Sequence, residues 1–93
     1  MQARPNKTVL RAILRSFVPA ADGLGGNVEL HVLHNDTLSP EDDFIRPDAG
    51  ASLQAYTSSA PSIVPGSEVT VELKFLGGPS GGRAIVQAIS KTR

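Results

Sequence analysis

The chain lacks cysteine and tryptophan altogether, and its aromatic content is three phenylalanines and one tyrosine in 93 residues. Without thiols there can be no disulfide, thiolate metal site or cysteine nucleophile, and the redox compartment is left open. So few rings restrict any surface on which nucleobases could stack. No apolar run approaches the roughly 18 residues of a membrane span, and Arg11 and Arg15 interrupt the N-terminal apolar stretch that a secretory signal would need. A mitochondrial transit peptide matches that stretch better in charge but would consume the first strand of a minimal domain. A cytoplasmic protein without membrane contact is the expectation.

Net charge is also missing: nine basic residues balance nine acidic ones. Strong nonspecific attraction to nucleic acid or anionic lipid is therefore not expected. The balance hides a polarity. Met1 to Ala21 carries Arg4, Lys7, Arg11 and Arg15 and no acid, Asp22 to Glu68 carries eight acids against Arg46 alone, and Val69 to Arg93 is basic again. Pairing of the first and last segments in a sheet would gather their basic residues on one side; solvated surface charge is the plainer reading.

What is present is alternation. Val69, Val71, Leu73 and Phe75 are separated by Thr70, Glu72 and Lys74, the period of a strand with one buried face. The tract Gly77-Gly78-Pro79-Ser80-Gly81-Gly82 supplies the dihedral freedom of a reversal, and the chain returns through Arg83 to Ile89. Val28, Leu30 and Val32 mark another strand over 27–34, and Leu53 and Ala55 a shorter one over 51–57. Thr8 to Val18 fits two periods. As a strand it sets Leu10, Ala12, Leu14 and Val18 against Arg11, Ile13, Arg15 and Phe17; as a helix it makes a stripe of Leu10, Ile13, Leu14 and Phe17. Pro19 and the glycine-rich reversal behind it favour the strand.

Between these lies the acidic connection 35–50. Ser39-Pro40-Glu41-Asp42 offers a hydroxyl cap, a first-turn proline and acids facing a helix dipole, so at most one or two helical turns are expected near 40–45, with Phe44 and Ile45 pinning the loop to the body. Ser58 to Ser67 is too broken by proline for a helix, and Val64-Pro65-Gly66-Ser67 reads as a turn into the fourth strand.

Five strands and no long helix predict an all-β protein: a small five-stranded, partly open Greek-key barrel of the oligonucleotide/oligosaccharide-binding (OB) type, with a small β-sandwich as the alternative. Residues 1–6 are expected to be a flexible N-terminus and 7–91 a single barrel domain. The helix usual between strands three and four of an OB barrel has no counterpart here. A chain of this length hides only roughly 60–65% of its unfolded surface, which leaves no room for a large cofactor cavity, and no cofactor is expected.

Catalytic motifs are superficial. Gly78-Pro79-Ser80-Gly81-Gly82 satisfies G-x-S-x-G, but that serine must sit on a strand-to-helix turn beside a base and oxyanion donors. From Gly77 the tract also gives G-x-x-x-x-G, followed by Arg83-Ala84 where a phosphate loop needs lysine and a hydroxyl. His31 and His34 face opposite sides of a regular strand, and the acids of 36–48 lack the calcium-loop spacing; no metal site is expected. The remaining reading is a non-catalytic binding or interaction module for a protein partner, with a homodimer through an open barrel edge as a variant. The alternative is single-stranded nucleic-acid binding by a basic and aromatic strand face. The candidate binding residues are Arg11, Arg15, Phe17, Tyr56, Lys74 and Arg83.

Overall fold

The computed structural model describes residues 6–21, 23–78 and 81–92. Five strands form: β1 (Thr8–Pro19), β2 (Gly26–Asn35), β3 (Ser52–Thr57), β4 (Glu68–Gly78) and β5 (Gly81–Lys91), with one 3-10 turn at Pro40–Asp42. They close into a barrel in the order β1-β2-β3-β5-β4. All neighbours are antiparallel except β3 and β5, which run parallel through Ala55–Ala84 and Tyr56–Ile85. The five-stranded barrel is as expected and the sandwich alternative is excluded. This short parallel ladder closes the ring.

The expected alternation carries the core. Leu10, Ala12 and Leu14 of β1, Val28, Leu30 and Val32 of β2, and Val69, Val71 and Leu73 of β4 are buried, joined by Ala55 and Ala84. Burying a side chain of this kind stabilises by about 1.5–3 kcal/mol relative to leaving it exposed. Ile63, from the helix-free connection 58–67, packs against this core. The proline–glycine turn forms as expected: Ser67 N–H donates to the Val64 carbonyl at 3.2 Å, and Gly66 takes the positive φ of 96° that a type II turn demands at that place. The turn is tied sideways to β1, where Gly66 N–H donates to the Leu14 carbonyl and Leu14 N–H to the Ser67 carbonyl.

Two irregularities in the β1–β2 ladder re-aim side chains. Leu14 pairs with Leu30, but the next pair is Ser16–Glu29, so Arg15 is an extra residue on β1. Such a bulge switches the inward phase of everything beyond it. Phe17 now opposes buried Val28 and packs on the core, while Val18 opposes Asn27 and is 62% exposed. The expected facing of Phe17 with Arg11 and Ile13 is thereby overturned. On β2, Arg11 pairs with His34 and Ala12 with Val32, which leaves Leu33 extra. His31 opposes Ile13 and His34 opposes Arg11, so both imidazoles lie on the outer face, contrary to the opposite facing of a regular strand.

The acidic connection is held differently from expectation. The single 3-10 turn is within the expected one or two, but Ser39 makes no side-chain cap. Ile45 does pack on the core, but Phe44 stays 43% exposed. The anchor is Asp43, which is buried. Its Oδ1 accepts from the Thr8 hydroxyl at 2.7 Å, the Arg46 amide at 2.8 Å and the Ile45 amide at 3.2 Å. Its Oδ2 accepts from Asn35 Nδ2 at 2.7 Å. Burial alone would raise the Asp43 pKa, yet the hydrogen bonds from Asn35, Thr8, Arg46 and Ile45 outweigh it and hold the carboxyl below its ordinary value. At the start of the described chain, Asn6 clasps β4: its Nδ2 donates to the Phe75 carbonyl and its Oδ1 accepts from the Phe75 amide. Residues 1–5 of the expected flexible N-terminus lie outside the described residues.

Candidate functional site

The glycine tract forms the ladder pairs Gly77–Gly82 and Gly78–Gly81 between two antiparallel strands. Pro79 and Ser80 lie outside the described residues. Among the described residues no helix follows the tract, since β5 starts at Gly81, whereas a serine nucleophile's turn and a phosphate loop both lead into one. Among the described residues no group of three or more His, Asp or Glu side chains could hold a metal ion. His31 and His34 share a face without a third ligand beside them.

The same hairpin builds a different arrangement on its outer surface. Lys74 pairs with Ile85 and Leu76 with Arg83. The inward neighbours Leu73 and Ala84 are buried, so these four side chains stand on the outside of the barrel. Cation and aliphatic group therefore alternate both along each strand and across the ladder. The parallel β3–β5 pairing adds Tyr56 directly beside Ile85, and the Arg83 guanidinium lies over the Tyr56 ring, 5.0 Å from its centroid. An exposed contact of this kind is worth about 0.5–1 kcal/mol, enough to bias the Arg83 rotamer. The row continues through Asn27 of β2 to Val18 of β1. It borders a hollow of about 110 Å³ between Ser16, Asn27, Glu29 and Gln54. That is below the roughly 300 Å³ at which small-molecule pockets begin.

The six candidate residues separate. Tyr56, Lys74 and Arg83 come together on this face. Arg11 is on the outer surface of β1, but its Nε is engaged by Asp36 Oδ2 at 2.9 Å. Arg15 is exposed in the β1 bulge and takes no part in the ladder pairs of this face. Phe17 is partly buried and packs against the core. Ile85 and Leu76, which complete the patch, were passed over in the sequence because apolar residues in a strand default to the core. Their positions opposite Lys74 and Arg83 give them away once the hairpin register is counted back from the glycine tract.

Among the described residues no helix is long and apolar enough to cross a membrane. No protein-family model matches the chain, and comparison with curated proteins finds no relative.

Proposed function

We propose that the chain is a non-catalytic binding module of the OB barrel type and that its partner is a protein. The strand order, with β1 flanked by β2 and β4 and a parallel β3–β5 seam, is the arrangement expected of that type. Fold alone does not assign a function; the observation that carries this reading is the patch of Tyr56, Arg83, Ile85, Lys74 and Leu76. It combines a ring and an arginine, the residue types enriched where proteins meet, with aliphatic surface beside them, and Leu76 is 45% exposed. A cytoplasmic setting belongs to the same proposal.

Single-stranded nucleic-acid binding is the competing reading. It loses Phe17 to the core and Arg11 to Asp36, and one face of its remaining ring is occupied by Arg83. Self-association is weakened too. Among the described residues β5 beyond Ile85 has no second strand beside it, but Gln87 is an extra residue opposite Glu72 and Leu73, and a bulge on such an edge discourages pairing.

The test is a photo-crosslinking residue at position 85, with one at exposed Arg15 as control, used in an extract of the chain's native cells. Discrete protein adducts from position 85, absent from position 15 and lost with Arg83→Glu, are expected. Adducts to nucleic acid alone, or none, would overturn the reading.

A further inference from the structure

Resting on the protein-binding reading, we infer that the outer β3–β5–β4 face receives an extended acidic segment, with carboxylates two residues apart on the side that meets Lys74 and Arg83. The cations come first. Lys74 and Arg83 occupy diagonal positions on the β4–β5 ladder, and diagonal neighbours are about 7–8 Å apart. An extended chain advances about 3.3–3.4 Å per residue, so side chains at i and i+2 are spaced to meet that pair.

Charge complementarity favours an acidic occupant. Glu72, the outward neighbour of Lys74 along β4, is already engaged by Lys7 at 2.8 Å, and Asp36 by Arg11. Among the described residues no carboxylate forms an ion pair with Lys74 or Arg83. The guanidinium of Arg83, laid over the Tyr56 ring, keeps its N–H edge available for two-point contact with a carboxylate, which Lys74 answers as a single charge.

The other two corners of the patch decide between anions. Leu76 and Ile85 are aliphatic and offer nothing on which a base can stack, whereas nucleic-acid faces of these barrels rely on aromatic platforms.

The experiment uses the whole chain and three fluorescein-labelled probes: a nine-residue peptide of sequence SGLEVELGS, its double Gln analogue SGLQVQLGS, and a twelve-residue oligothymidylate. Anisotropy is followed at low and moderate salt. The acidic peptide is expected to bind, to weaken as salt rises, and to bind at least ~10-fold more tightly than the Gln analogue. K74E/R83E is expected to lose at least ~10-fold in affinity, and R15E to stay within about twofold. Equal binding of the two peptides, no binding of either, or tighter binding of the oligonucleotide would overturn the inference. The crosslink at position 85 separates the two failures. Protein adducts that persist without acidic-peptide binding refute the acidic chemistry alone, whereas loss of both refutes the protein-binding reading with it.

Discussion

Replacing Asp43 by alanine removes the acceptor that ties the acidic connection to the barrel. Four donors lose their partner: the Thr8 hydroxyl, Asn35 Nδ2 and the amides of Ile45 and Arg46. Thr8 is fully buried, so water cannot replace the carboxylate there, and an unsatisfied buried donor costs about 1–3 kcal/mol. The Asn35 bond, made to a charged acceptor, adds about 1.5 kcal/mol, and the partly exposed amides can rehydrate. The expected loss is about 3 kcal/mol, a large part of the roughly 5–15 kcal/mol that holds a small domain together, and it lowers Tm by roughly 12–24 °C. Asp43→Asn costs less, about 1–2 kcal/mol. Its NH2 would confront Asn35 Nδ2, and Asn35 cannot turn over without releasing the Thr37 amide and hydroxyl that its Oδ1 now receives. The pH dependence has a definite sign. The folded-state pKa of Asp43 is depressed, so its contribution is fully present above the unfolded value of about 3.9 and is lost as pH falls through the folded value. Chemical denaturation followed by far-UV circular dichroism, on wild type and Asp43→Asn, measures the gap between them. That gap should hold at pH 7 and shrink on acidification below about pH 4. An Asp43→Ala variant within about 0.5 kcal/mol of wild type, or a gap independent of pH, would refute this anchoring role.

Phe17→Ala should destabilise by about 2–3 kcal/mol while leaving partner binding unchanged, measured by melting and by the crosslink from position 85; intact stability with lost binding would return Phe17 to the surface. Deleting Arg15 removes the extra residue of the bulge and lets Ser16, Phe17 and Val18 keep their partners Glu29, Val28 and Asn27 and their facings in a regular ladder, so cooperative unfolding should be retained. A deletion variant that no longer unfolds cooperatively would mean that the β1–β2 register is regular and Arg15 one of its paired residues. Gly82→Ala places a Cβ against the Phe75 ring and the Leu76 carbonyl and should cost about 1–3 kcal/mol, whereas a neutral result would place the hairpin backbone further from Phe75.

Much of the barrel is readable from local pattern. The alternation from Val69 to Phe75 and the paired glycines name the β4–β5 hairpin, and Val28, Leu30 and Val32 name β2. The bulges are silent for a physical reason. Phe17 and Val18 are both apolar, as are Val32 and Leu33, so sliding the phase by one residue costs the sequence pattern nothing. Asp43 is hidden among Glu41 and Asp42, because what distinguishes it is Thr8, 35 residues away, which only the closed barrel brings near. The patch was half legible. Tyr56, Lys74 and Arg83 stood out as a ring and charges in strands, but their convergence depends on the two parallel pairs of β3 and β5, a contact with no local signature.

That seam closes the ring and puts Tyr56 beside Ile85 and under Arg83, and backbone NMR tests it directly. Cross-strand contacts of the parallel kind should link Ala55–Tyr56 with Ala84–Ile85, and the Arg83 side chain should shift upfield from the Tyr56 ring current. Absence of both, with the amides of β3 and β5 exchanging freely along their facing edges, would contradict the closed barrel and the contact face built upon it.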